Sequence, residues 1–266
     1  MFDSGFGGLT VARAVIDLLP SEDLVYIGDT GRYPYGPQPA DDVRRYAAEL
    51  AWSLVKDHGV KALIVACNTA ASSGLEDLRD ALPVPVLDVV DPGAAALVQA
   101  TTSGRVGVIG TVGTVASGAY VRAVEAAATA AGVDVRLTSA ACPGFVEFVE
   151  RGLTTGDEIT VLAERLLAPV RAADVDALLF GCTHYPFLAR VIADVMGPGV
   201  TLVSSADETA FAARRILGEL GLVRETDRPG CHTFLSSGDI ETFRDLGSRL
   251  LGPELNHTVR WAPPTG

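Results

Sequence analysis

Positive charge is scarce in this chain. Its 266 residues include 21 Lys and Arg against 33 Asp and Glu, which gives a formal net charge of −12 at pH 7. Proteins that bind nucleic acid rely on patches of Lys and Arg that neutralise phosphates. The charge balance therefore argues against direct contact with nucleic acid. It leaves room for a small acidic substrate, because a few local donors outweigh a diffuse field.

Long apolar runs are also missing, and cysteines are few. No segment reaches the roughly 18 uninterrupted apolar residues that a membrane-spanning helix needs. The first eight residues, MFDSGFGG, lack the basic and apolar regions of a secretory signal, and the first strand is expected to be either unusually short or truncated. Four cysteines in a chain of 266 residues do not form the pattern of a secreted disulfide framework. We therefore predict a cytoplasmic protein with free thiols and no membrane partner.

What the sequence does contain is a regular alternation of short apolar runs and longer segments of helical period. This alternation is typical of βαβ units and predicts an α/β fold with mainly parallel sheets flanked by helices. The predicted strands are 24–27, 62–66, 84–88, 105–109, 135–139, 177–180, 201–204 and 233–236. The predicted helices are 11–19, 41–57, 70–81, 116–131, 158–172, 187–196, 208–220 and 240–250.

One segment occurs twice. Residues 60–69 read VKALIVACNT and residues 175–184 read VDALLFGCTH, so that Cys67 aligns with Cys182 without a gap. In each copy an apolar run ends in a cysteine followed by polar residues. The duplication predicts two similar, pseudo-symmetric α/β lobes with the active site in the cleft between them. We place the first lobe at residues 1–91 with 206–266, and the second at residues 92–205.

Cys67 and Cys182 are the main candidates for chemistry. A lone cysteine is usually a small hydrophobic core residue, but here the thiol recurs at the end of two equivalent strands. Open α/β sheets bind their ligands at that end of the strands. Each thiol is also expected near a helix N-terminus, whose dipole lowers a thiol pKa. Cys142 and Cys231 show neither feature, and we interpret them as structural.

Several other features are weaker candidates. The glycine-rich start fails the spacing of a dinucleotide-binding motif, and we interpret it as a tight turn that presents Asp3 and Ser4. His184 shares the turn of Cys182 and can act as an acid or a base near neutral pH. Glu147 has apolar neighbours on both sides, which fits either a carboxylate turned toward a pocket or a residue on a solvated helix face. Residues 34–36, PYG, form either a substrate-lining loop or an ordinary surface turn.

Four motifs together resemble the cofactor-independent aspartate/glutamate racemase superfamily, and within it the glutamate racemases. They are DSGFGG at 3–8, GDTGRYPYG at 28–36, CNTA at 67–70 and GCTHYP at 181–186. The last is the most specific, because histidine after Cys-Thr distinguishes the glutamate enzymes from aspartate racemases, which typically carry glutamate there. Two departures from the family are Phe6, where valine or isoleucine is usual, and a first strand that is several residues longer in relatives.

The resemblance implies a cytoplasmic isomerase that interconverts L-glutamate and D-glutamate without a cofactor or metal. It further implies a supply of D-glutamate for peptidoglycan synthesis, and often a homodimer. Cys67 is assigned to deprotonate D-glutamate and Cys182 to deprotonate L-glutamate, with assistance from Asp3, Glu147 and His184. The substrate-binding residues implied by the resemblance are Asp3, Ser4, Tyr35, Gly36, Asn68, Thr69, Thr111, Thr114, Thr183 and His184. Contact with DNA gyrase, which some relatives inhibit, rests on family analogy alone.

The residues by themselves leave several alternatives. A racemase for aspartate or another amino acid would use both thiols in the same way. A cysteine hydrolase would use Cys182 with His184 and leave Cys67 without a role. A zinc-binding module would use these three residues, although structural zinc sites usually pair cysteines at close spacing. Nothing in the sequence indicates a pyridoxal lysine or a metal cage.

Overall fold

The computed structural model describes residues 1–263, which divide into two compact units. The first unit comprises Met1–Val89 with the residues from Ala206 onward, and the second comprises Val90–Ser205. Both units are α/β, with parallel sheets flanked by helices, which confirms the fold class predicted from the alternating pattern. None of the helices in this part of the chain is long and apolar enough to cross a membrane.

The strands and helices follow one another along the whole chain. The strands are β1 (Phe2–Asp3), β2 (Leu24–Gly28), β3 (Leu63–Val65), β4 (Val86–Asp88), β5 (Arg105–Gly110), β6 (Arg136–Ala141), β7 (Ala177–Gly181), β8 (Thr201–Val203), β9 (His232–Ser236) and β10 (Val259–Arg260). The helices are α1 (Leu9–Leu18), α2 (Ala40–His58), α3 (Asn68–Ala81), α4 (Val90–Ala100), α5 (Val112–Ala116), α6 (Ala119–Ala131), α7 (Phe145–Glu150), α8 (Asp157–Ala172), α9 (Ala189–Met196), α10 (Ser205–Glu219) and α11 (Ile240–Leu251). Two 3₁₀ helices span Tyr185–Leu188 and Gly252–His257.

The two sheets share one strand order. The first unit has six strands in the order β10-β9-β2-β1-β3-β4, and the second has four in the order β6-β5-β7-β8. The paired strands in both sheets run parallel. The order β2-β1-β3-β4 therefore recurs as β6-β5-β7-β8, so that β3, which precedes Cys67, corresponds to β7, which precedes Cys182. The duplicated segment occupies equivalent strands of two sheets with the same winding.

Buried apolar side chains at helical spacing hold the helices against these sheets. In α8 the buried residues are Ile159, Ala163, Leu167 and Val170, which recur every three to four positions and line one face. In α1 the buried face is formed by Leu9, Val11, Ala12 and Val15. All three residues of β3 and all five of β7 are buried, as expected for strands covered on both faces.

Two predicted helices are interrupted in the structure. The helix predicted at 116–131 is divided into α5 and α6 at Gly118, whose φ of 67° lies in the left-handed region that favours glycine. The helix predicted at 187–196 is preceded by the 3₁₀ helix Tyr185–Leu188, and α9 begins only at Ala189. Helix α4 was missed by the sequence pattern because Pro92 stands in it. That position lies in the first turn, where a missing N–H costs little.

Candidate active site

Polar side chains of the first unit gather where β1 and β3 end. Asp3 is the last residue of β1, and Cys67 follows β3 by two residues. The two strands are neighbours, with Phe2 paired to Val65, so their carboxyl ends lie side by side. Both side chains are buried, with exposures of 1% for Asp3 and 5% for Cys67. We call Asp3, Ser4, Gly8 and Cys67 the Cys67 cluster.

The glycine-rich turn holds the Asp3 carboxylate in place. Oδ2 of Asp3 accepts the backbone N–H of Gly8 at 2.8 Å and that of Gly5 at 3.4 Å. The same turn brings Ser4 Oγ to 3.5 Å from the Cys67 sulfur. The interpretation of residues 3–8 as a tight turn thus agrees with the observed geometry, and the turn places a carboxylate, a hydroxyl and a thiol within one cluster.

Gly8 has no room for a side chain. A Cβ at this position would lie 2.7 Å from Asp3 Cβ and 2.9 Å from Ala66 Cβ. We expect Gly8→Ala to lower the free energy of unfolding by about 1–3 kcal/mol through overpacking and to displace the Asp3 carboxylate. Urea denaturation measures the loss. Gly218→Ala is the control, because nothing lies within 4 Å of a Cβ at that helical position, and equal stability of the two variants would contradict the prediction.

The Cys67 thiol does not show the lowered pKa that a helix N-terminus was predicted to give. Cys67 is indeed the N-cap of α3, and its sulfur accepts the Ala70 N–H at 3.5 Å. Burial nevertheless dominates and, with the negative charge of Asp3, raises the pKa of Cys67 to about 12, against the smaller lowering by Ala70 and Ser4. Desolvation outweighs the helix end here, so the free protein holds Cys67 as a neutral thiol at physiological pH.

The remaining candidates of the first unit are also buried. Asn68 and Thr69, which begin α3, have exposures of 2% and 5%. Tyr35 is 1% exposed, and its hydroxyl donates to the carboxylate of Asp29, which is itself fully buried. The Tyr35 side chain is therefore held in the protein interior.

A second group of acid–base side chains lies at the end of β7. The sulfur of Cys182 is 3.8 Å from Nδ1 of His184, and Nε2 of His184 is 3.5 Å from Oε1 of Glu150. Cys182 and His184 are buried, with exposures of 7% and 3%, and the Glu150 side chain is 20% exposed. We call Cys182, His184 and Glu150 the Cys182 cluster. Its order of sulfur, imidazole and carboxylate can carry a proton away from the thiol or return one.

Glu150 is the residue of this cluster that sequence reasoning missed. Both Glu147 and Glu150 belong to α7, but Glu147 is exposed, whereas Glu150 contacts His184. The sequence holds no signal that separates the two, because each glutamate directly follows a valine in FVEFVE. The structure brings Glu150, rather than Glu147, to the histidine.

The other predicted site residues of the second unit are threonines near the ends of β5 and β7. Thr111 follows β5, the strand next to β7, and its Oγ1 accepts the Thr114 N–H at 3.2 Å as the N-cap of α5. Thr114 and Thr183 are buried, with exposures of 1% and 7%. Cys142 lies in the core, and burial followed by the Cys182 charge raises its pKa to about 12. Cys231 is exposed in the first unit.

Among residues 1–263, no group of three or more His, Cys, Asp or Glu side chains could hold a metal ion. The four cysteines are all free thiols. The residues of the two clusters can transfer protons or attack an electrophile through sulfur, with carboxylates and an imidazole beside the thiols.

Comparison with known proteins identifies relatives of this arrangement. Residues 9–213 match the family model described as Asp/Glu/hydantoin racemase. The chain is 54% identical to a glutamate racemase of Parafrankia sp. over 256 residues, covering 96% of this chain and 91% of the relative. Its structure is similar to that of a glutamate racemase from Bacillus anthracis, with a TM-score of 0.90, 38% identity and coverage of 98% and 95% of the two chains. A glutamate racemase from Francisella tularensis in complex with D-glutamate matches with a TM-score of 0.89, 30% identity and the same coverage.

Proposed function

Because the chain belongs to the Asp/Glu/hydantoin racemase family, we propose that it interconverts L-glutamate and D-glutamate by cofactor-independent proton transfer at the α-carbon. The observation that carries this proposal is the pair of buried thiols. Each follows an equivalent strand in a sheet of the same order, and each has its own acid–base partners. By analogy with the family, we also propose that the product serves peptidoglycan synthesis in the cytoplasm.

Racemisation requires a proton to leave one face of the α-carbon and another to arrive on the opposite face. Starting from L-glutamate, the Cys182 thiolate takes the α-proton and becomes a thiol, leaving a carbanion-like species. The Cys67 thiol then gives its proton to the other face and becomes a thiolate, and D-glutamate results. The raised pKa of Cys67 suits this direction, because it keeps the proton on Cys67 until a strongly basic carbon is present.

The reverse direction uses the same groups with their roles exchanged. Cys67 must then act as the base toward D-glutamate, which requires its proton to be removed first. We assign the removal of this proton to Asp3, the carboxylate of the Cys67 cluster. We assign the corresponding removal at Cys182 to His184 with Glu150. The raised pKa of Cys67 makes this activation the demanding step.

Stabilisation of the carbanion-like transition state needs more than the bases. General acid–base catalysis contributes about 10²–10⁴-fold, and fixed dipoles supply much of the rest in most enzymes. We propose that the substrate is held by hydroxyl, amide and backbone groups near the carboxyl ends of the strands. These groups belong to Ser4, Tyr35, Gly36, Asn68, Thr69, Thr111, Thr114 and Thr183.

Isotope incorporation tests the proposed function directly. Purified protein incubated in D₂O with either glutamate enantiomer, a chelator and no added cofactor is expected to give a racemic product carrying α-deuterium. Chiral chromatography with mass spectrometry measures both. Aspartate under the same conditions is the specificity control. Inactivity toward both glutamate enantiomers in well-folded protein would overturn the proposal, and activity on aspartate alone would favour the related racemase.

The Cys182 cluster supports a second candidate. Sulfur, imidazole and carboxylate in this order also resemble the nucleophile, base and orienting group of a cysteine hydrolase. Such an enzyme would form an acyl intermediate on Cys182 and would not need Cys67.

We further propose a homodimer, by analogy with the family. Size-exclusion chromatography with light scattering measures the oligomeric state directly.

A further inference from the structure

Tyr26 is a buried residue of the first unit to which the proposed reaction gives no role. It lies within β2, the strand beside β1, and is fully buried. Its ring is 6.2 Å from the rings of both Phe234 and Phe243, measured between centroids. Its hydroxyl donates to the backbone carbonyl of Gly5 at 3.1 Å, inside the turn that holds Asp3. A buried phenol hydroxyl of β2 therefore contacts the glycine-rich turn that carries Asp3 and Ser4.

The hydroxyl also lies close to Asp3. A Cβ placed on Gly8 would lie 3.0 Å from the Tyr26 hydroxyl oxygen and 2.7 Å from Asp3 Cβ, so both side chains line the space that Gly8 leaves open. Burial is the largest cause that raises the pKa of Tyr26, and the charges of Asp3 and Cys67 and a hydrogen bond with Asp3 add to it. The phenol is thus held neutral, as a donor.

The two oxygens of Asp3 have unequal surroundings. Oδ2 accepts two backbone N–H groups of the glycine-rich turn. Oδ1 is buried and, within the part of the chain that the structure describes, has no hydrogen bond of good geometry. A phenol hydroxyl can rotate about its C–O bond, so the same proton can serve either Gly5 or the carboxylate. Tyr26 is therefore placed to donate to either of these two acceptors.

We propose that Tyr26 is a positioning residue for Asp3, and that through Asp3 it assists proton transfer at Cys67. This rests on the proposed function. The hydroxyl donates to Gly5 in this structure, and a rotation about its C–O bond turns the same proton to Asp3 and holds that carboxylate in place. The substrate is not touched by Tyr26 in either orientation, so the effect falls on the chemical step rather than on binding.

Kinetics of Tyr26→Phe give the first test, because this substitution removes the hydroxyl and keeps the ring. We expect kcat to fall about 10- to 100-fold, the loss typical of a hydrogen bond to a charged group, with KM changed less than about twofold. The primary isotope effect should rise for α-deuterated D-glutamate, whose proton Cys67 removes, and fall for α-deuterated L-glutamate. A merely structural role would not move the two isotope effects in opposite directions.

Alkylation of Cys67 gives a second test that does not depend on activity. A hydrogen bond from the phenol to Asp3 would offset part of the Asp3 charge, so loss of the hydroxyl leaves more of that charge acting on the thiol. Peptide mapping after iodoacetamide treatment should therefore show slower alkylation of Cys67 in Tyr26→Phe than in wild type at the same pH. A loosened fold would instead expose the thiol and make alkylation faster.

Ser53→Ala is the matched control. Ser53 is 4% exposed in the same unit and accepts a hydrogen bond from Trp261 Nε1 at 2.9 Å, so its loss also removes a buried hydrogen bond. We expect this variant to keep wild-type isotope effects and Cys67 alkylation. An unchanged kcat in Tyr26→Phe, or faster alkylation of Cys67, would overturn the proposal. Wild-type protein inactive on glutamate would overturn the proposed function, while the alkylation rates would still decide the role of Tyr26.

Discussion

Replacing either Cys67 or Cys182 by serine is expected to lower kcat for both glutamate enantiomers by about 10³-fold or more. A serine hydroxyl is a far weaker acid than a thiol, and it can neither lose a proton to become an effective base nor return one at a comparable rate. Groups that act as one catalytic unit give losses that do not add. The double variant is therefore expected to be little worse than either single variant, as measured by chiral chromatography.

The exposed thiol supplies the control for these variants. Cys231→Ser should retain wild-type kcat, because Cys231 is exposed and belongs to neither cluster. Circular dichroism and thermal melts would verify that the inactive variants are folded. Wild-type activity in Cys67→Ser would contradict the two-thiol mechanism. If only Cys182→Ser loses activity, and an acyl intermediate is trapped on Cys182 in wild type, the result would instead favour the hydrolase.

Glu150→Gln is expected to lower kcat about 10²-fold with little change in thermal stability. Glu150 Oε1 lies 3.5 Å from His184 Nε2, so the carboxylate favours the tautomer with its proton on that nitrogen. The other nitrogen, Nδ1, then faces the Cys182 sulfur at 3.8 Å and acts in that tautomer as the acceptor of the thiol proton. Glutamine keeps the shape of the side chain but loses the charge that stabilises the protonated imidazole.

Glu147→Gln is the matched variant on the same helix. Glu147 is exposed, and the contact to His184 is made by Glu150, so we expect Glu147→Gln to stay within about threefold of wild-type kcat. Steady-state kinetics of the two variants, purified in parallel, give the comparison. The reverse result, with the larger loss in Glu147→Gln, would restore the prediction made from the sequence and contradict the assignment of Glu150.

Much of the arrangement follows from sequence alone. The apolar runs that end in Cys67 and Cys182 fix two buried strands, and the carboxyl ends of parallel strands are where polar side chains meet a ligand. The repeat of one segment also anticipates that the two sheets share a strand order. Both inferences use local patterns, apolar runs of strand length and an ungapped alignment, which tertiary packing seldom overrides.

Other features depend on packing and could not be predicted in the same way. The period of α7 does not tell which of Glu147 and Glu150 meets a histidine 34 or more residues away, because this depends on how the helix lies on its sheet. The pKa of Cys67 was misjudged because a helix end is visible in sequence, whereas the burial that outweighs it is not. The inward direction of Tyr35 likewise depends on Asp29, which a turn-rich segment does not reveal.

The unlike surroundings of the two thiols have a consequence for the steady state. L-glutamate and D-glutamate are mirror images with equal free energies in water, so the protein cannot displace their ratio from unity. The groups beside the two thiols are Asp3 at Cys67 and the imidazole–carboxylate pair at Cys182. They therefore act only on the enzyme. They set which of its two free forms predominates between turnovers, the form with the proton on Cys67 or the form with the proton on Cys182. The specificity constants for the two enantiomers must be equal, whereas their turnover numbers and half-saturation concentrations can differ in proportion to each other.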